Sequence, residues 1–270
     1  MKTAVTLCQV PEAAAGPFVF RQALPEAFAL AAALGFDAVE LFLPSADFIS
    51  PEEILTLARQ NNLAIAAVGT GAGMLRHGLS VTDSSPEKRA EALEFVVSII
   101  DFAGKLGAPA ILGSMQGKWN ESLSKETALA HLATALSVCG KAAAKHQVSF
   151  IYEPLNRFET NLINRLGEAV NLIETHHLTN VVLLADLFHM NLEESDLGAA
   201  IRAAGQHIGH VHYADSNRSA MGLGHTAPFP ILTALRDISY QGYLSAEILP
   251  LPDPRTAATL TLQSIHSFHP

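Results

Sequence analysis

Cysteine and basic residues are scarce in this sequence of 270 residues. The two cysteines, Cys8 and Cys139, lie far apart and lack the short spacing of metal-binding pairs, so we expect ordinary buried thiols in a reducing cytosol. Lys and Arg number only 17 against 26 Asp and Glu, which gives a net charge of −9. Because nucleic-acid binding relies on clustered basic side chains, we expect a small ligand and no nucleic-acid partner.

Long hydrophobic runs and flexible linkers are also missing from the sequence. The residues from Met1 to Leu7 form a brief strand-like run that soon meets Pro11, which predicts neither a secretory signal nor a membrane span. No Ser-, Gly- or Pro-rich stretch and no block of charge divides the chain. Because 49% of the residues are hydrophobic, the chain can bury a large core, and we expect one cytoplasmic domain over residues 1–270.

Short apolar runs alternate with helical patterns along the whole chain. Several helical patterns begin with clear start signals, such as Ser50-Pro51 and Ser85-Pro86, each followed by Glu. The predicted strands cover residues 3–7, 38–42, 63–68, 108–112, 148–152, 181–185, 208–213 and 243–248. The predicted helices cover residues 25–34, 86–106, 124–145, 165–175, 195–204, 229–238 and 254–268, and a further helix is predicted to begin at Pro51.

This alternation predicts a parallel sheet built from right-handed βαβ units. Eight strands and eight helices favour a closed (β/α)8 TIM barrel, a fold of typically about 250 residues. An open doubly wound sheet is the alternative, but it would place a glycine-rich phosphate turn after the first strand, and none follows Leu7. The glycine-rich segment 69–73 follows the third strand, and we interpret it as a pliant loop on the substrate side.

Four consecutive predicted strands end in a side chain that could bind a hard metal ion. Because the carboxyl ends of barrel strands converge on one mouth, we expect the four side chains to meet there. A divalent cation would offset the repulsion between their carboxylates, and an oxygen-rich set favours Mn²⁺, Mg²⁺ or Co²⁺ over structural zinc. The alternative is a separate salt bridge at each strand end. The four residues are Glu153, Asp186, His212 and Glu247.

Four residues near this set have roles that the sequence leaves open. His210 lies two positions before His212 on the same strand, so we expect it to point into the barrel and to be hydrogen-bonded there, with a metal ligand as the alternative. Glu40, in the second strand, could join a buried network or contact the substrate. Gln116 and Trp119, after the fourth strand, could line the pocket, and packing is an equal alternative for the tryptophan.

Further polar residues are predicted in loops on the same face of the barrel. Arg218 is almost the only cation among them, so we expect an unphosphorylated substrate. A surface position in its loop is the alternative for His189. The residues in these loops are Asn156 and Glu159 after the fifth strand, Phe188 and His189 after the sixth, and Asp215, Asn217 and Arg218 after the seventh.

Four segments of the C-terminal half resemble the ketose 3-epimerases, such as D-tagatose and D-psicose 3-epimerases, within the xylose isomerase-like TIM barrel superfamily. They are Glu-Pro-Leu-Asn-Arg-Phe-Glu-Thr-Asn at 153–161, Ala-Asp-Leu-Phe-His-Met-Asn-Leu-Glu-Glu at 185–194, His-Tyr-Ala-Asp-Ser-Asn-Arg at 212–218 and Ser-Ala-Glu at 245–247.

The resemblance implies one divalent metal ion, first Mn²⁺ and alternatively Co²⁺ or Mg²⁺, held by Glu153, Asp186, His212 and Glu247. It implies that Glu153 and Glu247 also act as the acid/base pair. Further, it implies that Glu159, His189 and Arg218 contact a sugar substrate, and that the protein assembles as a homodimer or homotetramer.

We therefore predict reversible epimerisation at C3 of a free ketohexose or ketopentose through an enediolate. One alternative uses the same metal site to move a proton between C1 and C2, as in aldose–ketose or hydroxypyruvate isomerases. An apurinic-site endonuclease would need more histidine ligands and a basic surface, which the net charge of −9 argues against. A non-catalytic sugar-binding barrel would not require two metal-bound glutamates.

Overall fold

Eight parallel strands form a closed barrel in a computed structural model of the chain, which describes residues 1–268. Each strand pairs with the next in chain order, and β1 closes the barrel by pairing with β8, Lys2 opposite Tyr243. The predicted (β/α)8 barrel is therefore confirmed. The strands are β1 Lys2–Cys8, β2 Ala38–Phe42, β3 Ala64–Gly69, β4 Ala110–Leu112, β5 Phe150–Tyr152, β6 Val181–Asp186, β7 Ile208–His212 and β8 Tyr243–Ala246.

All eight predicted helices are present, and each bound that the sequence predicted agrees with the structure to within two residues. The predicted single domain over 1–270 stays a prediction, and its last two residues, His269 and Pro270, lie outside the described part of the chain. The helices are α1 Leu24–Leu34, α2 Pro51–Asn61, α3 Ala72–His77, α4 Pro86–Lys105, α5 Lys125–Ala144, α6 Leu166–Thr175, α7 Leu187–Glu193, α8 Leu197–Ala204, α9 Pro228–Asp237 and α10 Pro254–Ser267.

Two short helices, α3 and α7, were not predicted from the sequence. The prediction of a loop over residues 69–73 is wrong for Ala72 and Gly73, which form the start of α3. A side chain on Gly73 would overlap Met115, so the glycine lets this helix pack closely against the loop after β4. Helix α7 begins directly at the end of β6, where the sequence predicted a loop.

The start signals of the predicted helices act as the sequence suggested. At α2, the Ser50 hydroxyl accepts a hydrogen bond of 3.2 Å from the Glu53 amide, and Glu53 accepts one of 3.1 Å from the Ser50 amide. The Ser85 hydroxyl accepts a hydrogen bond from the Lys88 amide at the start of α4, and the Ser124 hydroxyl accepts one from the Thr127 amide at the start of α5. These side chains satisfy amide groups that the first turn of a helix leaves without partners.

Apolar side chains fill part of the barrel interior below its mouth. Ile151 and Leu184 lie two residues before Glu153 and Asp186, so they point to the same side of their strands. They form a buried cluster with Ala67 and Ile111 inside the barrel. This apolar cluster lies below Glu153 and Asp186, on one side of the barrel interior.

Other features of the sequence have clear positions in the fold. Cys8 and Cys139 are both buried and free, as expected for ordinary thiols. Within residues 1–268, no helix combines the length and the apolar character that a membrane crossing would require.

Candidate metal centre and substrate pocket

The four predicted metal ligands meet at the mouth of the barrel. Each offers one ligand atom, and these atoms all lie within 4.8 Å of one another. Nδ1 of His212 lies 3.5 Å from Oε1 of Glu153, 3.3 Å from Oδ2 of Asp186 and 3.4 Å from Oε2 of Glu247. The four residues come from the ends of four consecutive strands, β5 to β8, and the structure brings all of them together.

The chemistry of this cluster suits a divalent cation. Oε1 of Glu153 is buried and has no hydrogen-bond partner among the described residues. A buried acceptor without a partner costs about 1–3 kcal/mol, and more when it is charged. Three carboxylate oxygens and one imidazole nitrogen are ligands that Mn²⁺, Co²⁺ and Mg²⁺ accept. A cation within reach of these atoms would satisfy the Glu153 oxygen and balance the excess negative charge.

The surroundings shift the pKa values of the two glutamates of the cluster in opposite directions. Burial raises the pKa of Glu153 above its usual value, although the nearby His212 imidazole opposes the shift. Burial acts in the same direction on Glu247, but His212 and the Arg218 guanidinium outweigh it and lower its pKa. Burial favours the neutral ring of His212, but the attraction of Glu247 and Glu40 outweighs burial and raises the pKa of His212 well above 6.5.

The other ring nitrogen of His212, Nε2, contacts a buried carboxylate outside the cluster, that of Glu40. Nε2 of His212 lies 3.0 Å from Oε1 of Glu40, and Nε2 of His210 lies 2.7 Å from Oε2 of the same residue. Of the two alternatives for Glu40, the structure therefore shows a buried hydrogen-bond network. The expectation that His210 is hydrogen-bonded inside the barrel is confirmed.

Asp186 has two different contacts, one on each carboxylate oxygen. Oδ1 accepts hydrogen bonds of 2.7 Å from the Phe188 amide and 3.2 Å from the His189 amide, and so begins helix α7. Oδ2 faces Nδ1 of His212 at 3.3 Å. The placement of Phe188 and His189 in a loop is therefore wrong, because an N-cap aspartate starts a helix at this point.

His189 lies inside the pocket, with 2% of its surface exposed. The alternative of a surface histidine is therefore excluded. The Asn156 amide nitrogen donates to Nδ1 of His189 at 2.7 Å, which places the ring hydrogen on Nε2. This nitrogen lies 3.9 Å from Oε1 of Glu153 and 3.7 Å from Oδ2 of Asp186. His189 can therefore donate a hydrogen bond to a ligand beside the cluster.

Arg218 and Glu159 complete the set of predicted substrate residues at the same mouth. Nη2 of Arg218 donates to Oε2 of Glu247 at 2.7 Å, and Nη1 lies 3.5 Å from Oε1 of Glu159. The guanidinium carbon also lies 4.9 Å from the centre of the Phe188 ring. Nε of Arg218 is buried and has no hydrogen-bond partner in residues 1–268. The guanidinium is therefore held between the two carboxylates and the Phe188 ring.

Asp215 organises the loop that carries Arg218. Its side chain is buried, and its carboxylate accepts hydrogen bonds of 2.6–2.9 Å from four backbone amides. Burial alone would raise its pKa, but these amides outweigh it and lower the pKa of Asp215 to about 2. The sequence placed Asp215 near the pocket, yet its role as the centre of the loop depends on amides up to eleven residues away. The amides belong to Ser216, Gly222, Gly224 and Thr226.

A cavity of about 370 Å³ opens in front of the cluster. The far wall contains the stacked rings of Phe18 and Phe42, whose centres are 4.5 Å apart, and the segment from Gly69 to Gly71 lies beside them. The polar side chains that line the cavity are Glu12, Glu40, Thr70, Ser114, Glu153, Glu159, His189, His212, Arg218 and Glu247, with Thr6 at its base.

Gln116 and Trp119 do not line this cavity in the described part of the chain. Gln116 is buried, and its amide nitrogen donates to the carbonyl oxygens of Gly113 at 3.1 Å and Glu153 at 3.0 Å. Trp119 is 40% exposed and donates from its ring to the Asn161 carbonyl at 2.9 Å. Gln116 thus supports the backbone of Glu153, whereas Trp119 joins the loops after β4 and β5.

Gly113 is a site residue that sequence reasoning missed. It follows β4 directly, and a side chain at this position would overlap Oε2 of Glu153. The sequence signal that could have identified it is a glycine at the carboxyl end of a barrel strand, where a close approach of another group to the backbone often excludes larger residues. The glycine gives the Glu153 carboxylate room to lie against the backbone.

Comparisons with known proteins agree with this fold and site. The family of xylose isomerase-like TIM barrels matches residues 28–265. A D-psicose 3-epimerase of Ruminiclostridium cellulolyticum is 32% identical over 225 residues, covering 80% of this chain and 75% of the relative. An L-ribulose 3-epimerase of Methylomonas sp. is 29% identical over 241 residues, covering 87% and 82%.

The fold agrees equally well with solved structures. The structure of D-psicose 3-epimerase with D-tagatose from Clostridium cellulolyticum superimposes with a TM-score of 0.81 at 23% identity, covering 99% of this chain and 98% of that one. The relatives are named epimerases, which are isomerases by class. The resemblance to ketose 3-epimerases is therefore confirmed, and the chain belongs to the xylose isomerase-like TIM barrel family.

Proposed function

We propose that this protein reversibly epimerises C3 of a free ketohexose or ketopentose, with Mn²⁺ as the preferred metal ion. The observation that carries the proposal is the convergence of Glu153, Asp186, His212 and Glu247 within 4.8 Å at the edge of a cavity of about 370 Å³. The similarity to D-psicose and L-ribulose 3-epimerases supports this reaction over others that the same fold could host.

The metal ion would be held by the four residues of the cluster. When bound, it would polarise the ketone and stabilise the negative charge that develops on the sugar oxygens. Asp186 keeps Oδ2 for this task, because Oδ1 is occupied by the first amides of α7. His212 offers Nδ1, because Nε2 is occupied by Glu40.

Glu153 and Glu247 are the groups that we assign to proton transfer. Epimerisation inverts one carbon, so the proton leaves from one face and returns to the other, which requires two positioned groups. The two glutamates follow β5 and β8, with two strands between them around the barrel. Oε1 of Glu153 has no partner in the described residues, and Oε2 of Glu247 is held by Arg218. Either carboxylate can remove the proton, depending on the direction of reaction.

Three further side chains would bind and orient the sugar. Nε2 of His189 and the Arg218 guanidinium offer donors, whereas Glu159 offers an acceptor. Sugar hydroxyls can form hydrogen bonds with both kinds of group. Because His189 and Arg218 are largely buried, these contacts would lie in a site with little water, where hydrogen bonds to charged groups are strong.

A panel of free ketoses in D₂O, with added Mn²⁺, Co²⁺ or Mg²⁺, tests the proposal. We expect the 3-epimer as product, with deuterium at C3 in NMR spectra, and the highest rate with Mn²⁺. An aldose product with deuterium at C2 would instead show the aldose–ketose isomerase reaction. The matched pair of variants is Glu247→Gln, which should abolish exchange at C3, and Glu91→Gln on the exposed face of α4, which should not.

A further inference from the structure

We propose that Glu40 is a positioning residue that fixes the tautomer and orientation of His212 and thereby sets the affinity of the centre for its divalent cation. The inference rests on the proposed metal centre and concerns a residue outside the ligand set. Glu40 lies on β2, far from the four ligands in sequence, and 5% of its surface is exposed.

Both oxygens of Glu40 are committed to imidazole groups. Oε1 lies 3.0 Å from Nε2 of His212, and Oε2 lies 2.7 Å from Nε2 of His210. The two rings are nearly perpendicular, at 83°, with their centres 5.5 Å apart. The Glu40 carboxylate therefore sits between two rings of β7 and cannot rotate without losing one of these contacts.

This contact decides which nitrogen of His212 faces the cluster. An ionised carboxylate only accepts hydrogen bonds, so Nε2 of His212 must carry the hydrogen that points to Glu40. When Nδ1 of His212 binds a cation, the ring is neutral, and its single hydrogen is the one on Nε2 that points to Glu40. Nδ1 faces Asp186 at 3.3 Å, Glu247 at 3.4 Å and Glu153 at 3.5 Å. Histidine ligands of metal ions are commonly oriented by a carboxylate in this way.

The strands that carry Glu40 and His210 both have a shift in strand pairing beside these residues. The pairing of β2 with β3 shifts register between Val39 and Glu40. The pairing of β6 with β7 also shifts, so that Leu183 faces Ile208 but Leu184 faces His210. Such irregularities change the direction of a side chain relative to a regular strand. Both register shifts adjoin members of the network, and we infer that they help to direct the Glu40 and His210 side chains toward each other.

The direct test is the dissociation constant of Mn²⁺, measured on the chelator-treated full-length protein by competition with a chromogenic chelator. We expect Glu40→Gln to weaken Mn²⁺ binding by about 10- to 100-fold, the range found for other carboxylates that orient histidine ligands. The melting temperature of each chelator-treated variant shows whether it folds. Should Glu40→Gln not fold, Glu40→Asp keeps the charge but shortens the reach to Nε2, and we expect about tenfold weaker binding.

Asp101→Asn is the matched control. Asp101 also contacts an imidazole, Nε2 of His146 at 2.8 Å, but it lies on α4 and His146 lies in the turn after α5. This variant should bind Mn²⁺ as the wild type does. Equal affinity in Glu40→Gln and wild type would overturn the inference, whether or not a ketose is epimerised. A wild type that binds none of Mn²⁺, Co²⁺ and Mg²⁺ would overturn the metal centre and this inference together, whereas a wild type that binds Mn²⁺ but turns over no ketose would overturn only the proposed reaction.

Discussion

Arg218 is joined to the segment of Glu247 by both its side chain and its backbone. Its guanidinium donates to Oε2 of Glu247 at 2.7 Å, and its carbonyl accepts a hydrogen bond of 2.7 Å from the amide of Leu249. Its backbone is left-handed, with φ of 59°, an unusual conformation for a residue with a side chain. The loop after β7 and the end of β8 therefore form one unit at the mouth of the barrel.

We expect Arg218→Lys to impair sugar binding and turnover together. Lysine keeps the charge, but it lacks the planar guanidinium with which arginine can contact Glu247 and a ligand at the same time. Because a hydrogen bond to a charged group contributes about 1.5–3 kcal/mol, kcat/KM should fall by about tenfold or more. Steady-state kinetics on the best ketose of the panel measure this change. Arg202→Lys, at the surface pair with Asp237, is the control and should keep wild-type kinetics.

The variant Glu153→Gln should fold but lose epimerisation. Glutamine has nearly the same shape, yet it cannot accept the proton and is a poorer metal ligand. Positioned acid/base groups contribute about 10²- to 10⁴-fold to a rate, so kcat should fall at least to that extent. Deuterium incorporation at C3 measures the proton step directly. Exchange at a near wild-type rate would contradict the assignment of Glu153.

Replacement of Gly113 should act on the site without disturbing the fold. In Gly113→Ala the new methyl group would overlap Oε2 of Glu153 and displace its carboxylate. Misplaced catalytic groups can lower rates by about 10²-fold, so we expect a large loss of kcat with a small change in melting temperature. Gly167→Ala, on α6, is the control: the added methyl group meets open space, so activity and stability should be kept.

Asp215 should contribute stability that depends on pH. Its pKa is lowered to about 2, so the ionised form stabilises the folded state above pH ~4, and this contribution is lost as the pH falls toward 2. Removing the charge in Asp215→Asn should cost about 2 kcal/mol of unfolding free energy at pH 7. Urea titrations of the wild type and Asp215→Asn at several pH values measure the difference in their unfolding free energies. This difference should become smaller below pH 4. A difference that is the same at pH 7 and pH 3 would contradict this role.

Removal of the metal ion should lower the thermal stability of the protein. A cation that binds only the folded state stabilises it by about 2.7 kcal/mol at a concentration 100 times its dissociation constant. We therefore expect a lower melting temperature after chelation and its recovery on addition of Mn²⁺. Asp186→Asn should lose this recovery, because it weakens one of the four ligands. An equal response of wild type and variant to Mn²⁺ would argue against binding at this cluster.

Local patterns in the sequence predicted the strands and helices well. A strand such as β6 is a continuous apolar run, and a helix such as α2 begins with a serine and a proline, so neighbouring residues determine these elements. The sequence pattern does not indicate helix α7, because the helix begins at the Asp186 carboxylate and the apolar run before Asp186 marks this residue only as the end of a strand. The same side chain performs both functions, one with each oxygen.

The sequence by itself determined the alternation of eight strands and helices and the set of polar residues at the ends of the last four strands. Each of those residues follows an apolar run in the chain, so it could be recognised without coordinates. Only the tertiary structure decided how these residues are supported. Glu40 and His210 are 170 positions apart, and the closure of the barrel brings them together. Contacts of this kind depend on packing across the barrel interior, which no local pattern of the chain records.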